Sequence, residues 1–267
     1  MTEYLREVQG VLQQAETISL EEMDSVKLLN RIDRKYVMHI SRLPEIMRNI
    51  LGEYRVLDIN GTRLFSYNTI YFDTPGHQFY KDHHNGLNNR VKVRCRQYLD
   101  NNLSFFEIKK KYKGYRTDKY RKRVDNLLQE LTEPEYAVVK EKYAKHSVEQ
   151  LNLSLLNSFN RITFVSKALT ERFTIDLSLQ FGYNGDSVAV DKVVIIEVKQ
   201  DKTNLHSAII KELKAQRIPP GSISKYILGI TLIKKDVKHN AFKMILSKIN
   251  KIQNLYGTSF NGRLAGG

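Results

Sequence analysis

The chain has 267 residues, with 43 Lys plus Arg against 29 Asp plus Glu, a formal net charge of +14. Its 41% hydrophobic content and single cysteine, Cys95, exclude a disordered chain, a disulfide framework and a zinc site built on several thiolates. The longest apolar runs, such as 193–196, fall far short of the ~18 residues needed to cross a bilayer, and the first residues, MTEYLREVQG, carry no signal-peptide core. A soluble, cytoplasmic protein with a polyanionic partner is the expectation.

In chain order, residues 3–29 are predicted to be helical. Ser19-Leu-Glu-Glu22 is a capping-box pattern ahead of Met23, Val26 and Leu29. A strand is predicted over 31–37, with Arg31, Asp33 and Lys35 on one parity. Ser41 precedes Leu43, Ile46, Met47, Ile50 and Leu51, which predicts a helix stopped by Gly52. Strands then follow with clear period 2. At 90–98, Arg90, Lys92, Arg94 and Arg96 alternate with Val91, Val93 and Cys95. At 105–111, Glu107, Lys109 and Lys111 oppose Phe106 and Ile108, and at 117–124, Lys119, Arg121 and Arg123 share a parity. The segment 125–158 reads as helical, through the capping box Thr132-Glu-Pro-Glu135, with Pro134 in the first turn, and a second start at Ser147-Val-Glu-Gln150. At 172–180, Arg172, Thr174, Asp176 and Ser178 oppose Phe173, Ile175, Leu177 and Leu179. At 193–199, Glu197 and Lys199 oppose Val194, Ile196 and Val198. Helices are predicted over 204–216 and 236–254, and GTSFNGRLAGG at the end reads as a loose tail.

Side chains alternate across a strand, so each of these strands puts its charges on one side. For any single strand this is the ordinary pattern of a solvated face. Taken together, the faces are dominated by Arg and Lys. Like charges on neighbouring strands are destabilising by tenths of a kcal/mol per pair, and a bound polyanion would compensate them. The fold expected is α+β: a closed antiparallel β-barrel with a basic lumen and helices packed outside, in a single domain over 1–267. Such a lumen suits phosphate, because Arg offers planar paired donors and Lys a mobile point charge.

At this point the segments resemble a known family. RIDRKY at 31–36 resembles the first-strand signature of the triphosphate tunnel enzymes, in the version found in the polyphosphate polymerase (vacuolar transporter chaperone-type, VTC) domain. TIYFDT at 69–74, VRCRQY at 93–98, FFEIKKK at 105–111 and DKYRKRV at 118–124 resemble successive strands of that family. NRITFVSK at 160–167, ERFTID at 171–176, IIEVK at 195–199 and SKYILG at 224–229 follow in the family's order, so the resemblance spans about 30–230. Two positions depart from the generic motif: Arg31 and Asp33 stand where the hydrolases of the superfamily carry Glu. The loss of the first carboxylate favours the polymerase branch.

The resemblance implies a metal-dependent transfer of the γ-phosphate of ATP to a growing inorganic polyphosphate chain, with Mn²⁺ or Mg²⁺. It implies catalytic roles for Lys35, Lys225 and Arg94. Arg31, Lys92, Arg96, Lys109, Lys119, Arg121, Arg161, Arg172 and Lys199 are implied as phosphate or nucleotide ligands. Glu197 is implied as a metal ligand and Glu107 as a second, since carboxylate, phosphate oxygen and water are the hard donors these cations take. Asp33 and Asp176 are expected to orient Arg and Lys. A tunnel-fold hydrolase of triphosphate or polyphosphate and a non-enzymatic polyanion binder remain alternatives. Nucleic acid is not expected as a partner, because no exposed aromatic–basic stacking pattern is evident; a membrane-protein partner is compatible. No phosphate-binding Gly-rich loop and no HExxH spacing is present, and Cys95 reads as a core residue.

Overall fold

The structure, a computed structural model, describes residues 3–25, 31–112, 117–142, 150–202, 204 and 206–255. The N-terminal segment forms α1 (Glu3–Gln14), a short β1 (Thr17–Ile18) and α2 (Leu20–Ser25) instead of one continuous helical stretch; 26–29 lie outside the described residues. The Ser19 capping box is present in both directions: Glu22 N–H donates to Ser19 Oγ (3.1 Å) and Ser19 N–H to Glu22 Oε2 (2.9 Å). There follow β2 (Arg31–His39), α3 (Leu43–Ile50), β3 (Tyr54–Leu57), β4 (Phe65–Asp73) and α4 (Gln78–His84). Ser41 does not cap α3; its N–H bonds His39, and Arg42 occupies the cap without a side-chain bond.

Next come β5 (Arg90–Tyr98), β6 (Leu103–Lys111), β7 (Thr117–Val124) and α5 (Glu133–Lys142). The expected helical segment 125–158 is therefore corrected. Only α5 is α-helical among its described residues, and Asn152 begins the long strand β8 (Asn152–Ser166). The start at Ser147 and residues 143–149 lie outside the described residues. The remaining elements are β9 (Glu171–Tyr183), β10 (Asp186–Val190), β11 (Val193–Asp201), α6 (Ala208–Ala215), β12 (Pro220–Gly221), α7 (Lys225–Ile233) and α8 (Lys243–Asn254). The helix expected over 236–254 is thus shorter, and the C-terminal tail from 256 lies outside the described residues.

All twelve strands join one sheet, ordered β12-β2-β11-β9-β8-β4-β5-β6-β7, with β3 and β10 paired to β8 and β9 off this path; only β1–β3 is parallel. The expected closed barrel is not closed by hydrogen bonds. Among the described residues no ladder joins β7 to β2 or β12. The sheet nevertheless curls enough to bring its two ends within electrostatic reach of each other: Arg31 and Asp33 of β2 act on Lys119 of β7, and Lys35 of β2 on Lys92 and Lys109 of β5 and β6.

The convex face is apolar. Tyr36, Met38, Phe164, Phe173, Ile175, Val194 and Ile196 pack there under α1, α3 and α6. Val91, Val93, Cys95, Phe106 and Ile108 pack on the same side near Val139 of α5. Cys95, fully buried, is a core residue as expected.

The concave face is divided. A register shift between β8 and β9 near Ser158–Asn160, with Ser178 at φ +54°, moves Leu179 and Phe181 onto the face that carries Asp176. Together with Val37, Leu155, Val193 and Ile195 they form an apolar patch covered by α7 and α8. The expectation that all helices pack outside is corrected here: α7 and α8 sit on the concave side. Gly229 permits this approach, since a Cβ there would lie 2.4 Å from Leu155 Cδ2 and 2.5 Å from Phe181 Cδ1. No helix among the described residues is long and apolar enough to cross a membrane.

Candidate functional site

The ladders settle which side chains share a face. Lys35 pairs with Glu197, Glu197 with Thr174, Asp176 with Arg161, and Asp33 with Lys199 and Lys199 with Arg172. On the other half, Thr69 pairs with Arg96, Tyr71 with Arg94, Arg94 with Glu107 and Glu107 with Arg121. Lys92 pairs with Lys109 and Lys109 with Lys119. Arg31 shares the parity of Asp33 and Lys35 on β2, and Lys225 reaches the same face from the first turn of α7. Every basic residue singled out in the sequence therefore lies on the concave side. A groove of about 1600 Å³ is on the opposite side, where Ile32, Arg34 and Tyr36 alternate with Arg31, Asp33 and Lys35.

Asp176 is the electrostatic centre of the face. It is 1% exposed, accepts two bonds from Arg161 (Nε 2.6 Å, Nη2 2.9 Å) and pairs with the Lys225 ammonium. Burial would raise its pKa, but Arg161 and Lys225 outweigh that and hold the carboxyl well below the usual range. Asp176 thus orients one Arg and one Lys, Arg161 and Lys225. Arg31 bonds Asp33 at 2.9 Å. Beneath these groups Tyr67 and Phe159 stack at 5.1 Å, and their rings carry Arg96 (5.7 and 5.4 Å), Arg161 (5.5 and 5.4 Å) and, on Phe159, Lys225 (4.4 Å). Ring quadrupoles thus hold cations that would otherwise repel. Neither aromatic is marked in the sequence as more than an apolar residue on a strand.

The two glutamates differ. Glu107 has both oxygens engaged, Oε2 by Arg94 at 2.7 Å and Oε1 by Arg121 at 3.6 Å. Glu197 closes no ion pair among the described residues. Burial pushes Glu197 up, but Lys199, Lys35, Arg161 and Lys225 together bring it down to about 2, so it is fully ionised. No cluster of three or more His, Cys, Asp or Glu that could hold a metal occurs among the described residues. An ionised carboxylate on a basic face is still a hard oxygen donor of the kind Mg²⁺ takes together with phosphate oxygens and water.

Burial first, and crowding second, lowers several of the lysines. Burial, followed by Lys35, Lys109, Arg90 and Arg94, pulls Lys92 well below its ordinary value, and its Nζ donates to Ser224 Oγ at 2.9 Å. Burial brings Lys199 and Lys225 each to about 8, against the opposing pull of Glu197 and Asp176. Lys109 and Lys119 are lowered too, by burial and then by Lys35 and Arg31 respectively. Lys35 donates to the Ile223 carbonyl at 3.1 Å.

The position of Lys225 depends on a latch that the sequence motifs did not reveal. Asp73, at the end of β4, accepts from the N–H groups of Thr74 (2.7 Å), Phe79 (2.9 Å) and Tyr80 (3.0 Å) and from the Tyr226 hydroxyl. It thereby fixes the start of α4 and the first turn of α7 at once. Burial pushes the Asp73 carboxyl up, against these four donors. Tyr226→Phe is expected to lower stability by about 1–3 kcal/mol in urea melts, since a buried acceptor loses a partner. An unchanged midpoint would show that the hydroxyl does not hold the latch.

One stacking contact was not evident from the sequence. An aromatic–basic stacking pattern does exist: the Arg121 guanidinium lies 3.7 Å over the Phe105 ring and 5.6 Å from Tyr98. Sequence reading could not find it, because the three residues come from β7, β6 and β5.

A model of the VTC domain family matches residues 30–234 of the chain. Among solved structures, a candidate adenylate cyclase from Vibrio parahaemolyticus aligns over 83% of this chain and 99% of its own, at 12% identity and a TM-score of 0.41. The protein PH1819 from Pyrococcus horikoshii OT3 aligns over 75% of this chain and 96% of its own, at 12% identity and a TM-score of 0.42. HpAC1 from Hippeastrum, an adenylyl cyclase candidate described as having a dominant triphosphatase activity, aligns over 75% and 96%, at 11% identity and a TM-score of 0.39. No curated protein sequence matches the chain.

Proposed function

The chain belongs to the VTC domain family, and on that premise we propose that it is a metal-dependent polyphosphate polymerase, transferring the γ-phosphate of ATP to the end of an inorganic polyphosphate chain. The observation that carries this reading is the concave face itself. Lys35, Arg94, Arg96, Arg161, Lys199 and Lys225 converge there with a single unpaired, ionised carboxylate, Glu197. A structural face would balance its charges; this one holds buried lysines whose pKa values are lowered by burial first and by neighbouring cations second, and a polyanion relieves that repulsion.

In the reaction proposed, an oxygen of the terminal polyphosphate group attacks the γ-phosphorus of ATP in line. The bond from γ-phosphorus to the β–γ bridging oxygen breaks, and ADP leaves. A phosphate oxyanion needs no general base, so catalysis is positioning and stabilisation of charge. Arg94, held by Glu107, and Arg96, held on Tyr67 and Phe159, present fixed guanidinium groups to equatorial oxygens. Lys35 and Lys225 face them from β2 and α7 and neutralise the attacking and leaving oxygens. Arg31, Lys92, Lys109, Lys119, Arg161, Arg172 and Lys199 extend the basic bed along which the polymer lies. Glu107 acts as the group that orients Arg94. Glu197 would hold Mn²⁺ or Mg²⁺, which when bound supplies charge neutralisation at the transferring phosphoryl group. An ATP-consuming role fits the cytoplasmic placement expected from the sequence.

The test is incubation with ATP and Mn²⁺, followed by separation of long polymer from free phosphate on a gel. Polymer is expected from the wild type. Glu197→Gln should lose it at metal concentrations that saturate the wild type, because a neutral amide is a weaker ligand for a hard cation. An unchanged metal titration removes Glu197 from the site. Free phosphate without polymer would favour the hydrolase.

A further inference from the structure

Arg121 differs from the other arginines of the concave face. Arg96 is buried over the Tyr67 and Phe159 rings and Arg161 is locked bidentately to Asp176. Arg121 keeps 47% of its side chain exposed, yet its plane is fixed on three sides. Nη2 donates to the Tyr98 hydroxyl at 3.0 Å, Nε faces Glu107 at 3.6 Å, and the guanidinium lies 3.7 Å over the Phe105 ring. The Phe105 and Tyr98 rings meet edge-on at 5.7 Å, which braces the support from the side. The product is a flat cation backed by an aromatic ring, with its other face open.

The platform stands at a particular place. Along β5 and β6 it lies at the end away from α7, whose N-terminal turn binds Lys92 through Ser224. Lys109 is four residues from Phe105 on β6, about 13 Å at strand spacing, and Lys119 is two residues from Arg121 on β7, on the same face. A flat aromatic group resting on Arg121 would therefore have its substituent directed along Lys119, Lys109 and Arg94.

Resting on the reading that ATP is the phosphoryl donor, we infer that Phe105 and Arg121 form the stacking site for the purine base of the nucleotide, at the mouth of the concave face opposite α7. Arg121 is then a base ligand and not a phosphate ligand, and the nucleotide enters with its triphosphate pointing inward toward Arg94 and Lys225. Stacking of a base on an aromatic or guanidinium plane contributes enough to be read in binding. Arginine stacks where lysine, a compact ammonium without a plane, cannot.

The experiment compares ATP with inorganic triphosphate, in one Mg²⁺ buffer, on wild type, Arg121→Lys and Phe105→Leu. Arg121→Lys retains the charge and loses the plane; Phe105→Leu retains apolar bulk and loses the ring. Both variants are expected to weaken ATP binding by about five- to a hundredfold and to leave triphosphate binding within about twofold, the latter also serving as the check that the fold is intact. Equal losses for both ligands would make Arg121 a phosphate ligand and overturn the inference. Unchanged ATP affinity in both variants, in a protein that makes polymer from ATP, would overturn the inference alone. A wild type that binds triphosphate but not ATP would overturn the reading on which it rests.

Discussion

Asp176→Ala is expected to be the most damaging single substitution, at about 3–5 kcal/mol, because it leaves buried cations without their counter-charge. The carboxylate is 2% exposed, and its partners Arg161 and Lys225 are 17% and 13% exposed, so water cannot replace it. The loss has a second signature. Inorganic triphosphate brings negative charge to the same two cations, so added triphosphate should return part of the melting temperature lost in the variant. The wild type should lose the same stabilisation on acidification. The folded-state carboxyl is depressed, so its contribution is complete above the unfolded value near 4 and fades as pH falls through the folded one. Thermal melts of wild type and variant, with and without triphosphate, read both effects. A variant that melts with the wild type would show that Arg161 and Lys225 do not depend on Asp176.

Lys225→Met is expected to cut polymer formation by about a hundredfold or more, the scale of removing one preorganised donor from a developing oxyanion, with little change in stability. Arg161 still satisfies Asp176 in that variant, and the penalty of burying an ammonium is removed. The pH dependence separates this from a structural role. Lys225 is lowered to about 8 in the folded protein, from an ordinary value of 10.5. Between those values the unfolded chain binds more protons than the folded one. The cost of the buried charge is therefore fully present below about pH 8 and is relieved as pH rises toward 10.5. The wild-type apo protein should gain stability over that window while kcat/KM falls with the loss of the ammonium proton. Lys225→Met should flatten both trends. Lys199, also lowered to about 8, contributes in the same direction, as do the lowered Lys92, Lys109 and Lys119, so a residual slope in the variant belongs to these lysines together. A variant with wild-type polymer yield would take Lys225 out of the reaction.

Local signals were the legible ones. The Ser19 capping box is written within four residues and forms as read. The shared parity of Arg94, Lys109, Arg121 and Arg172 follows from period 2, which a strand cannot escape, and the ladders put all four on one face. β8 was illegible for a related reason. Leu151, Leu155 and Phe159 fall at helical spacing, Ser154 and Leu155 are both buried, and the exposed position between them and Asn157 is the apolar Leu156, so polarity does not mark the strand period there. Its identity is decided by the neighbours β4 and β9, which lie far away in sequence.

The amino-acid sequence by itself determined that this chain makes charged-face strands, which residues carry the charge, and that the charge is in net excess positive. It determined these things because side-chain alternation and net charge are properties of the chain alone. Tertiary structure decided the rest. It paired Asp176 with Arg161, 15 residues away, and with Lys225, 49 away, and it took both oxygens of Glu107 while leaving Glu197 unpaired. It laid α7 and α8 over the apolar part of the concave face through a one-residue shift between β8 and β9, and it left the sheet unclosed by hydrogen bonds among the described residues. Each of these depends on which strands meet and how far the sheet curls, and such distances between residues remote in the chain are set by packing, which no local pattern of residues records.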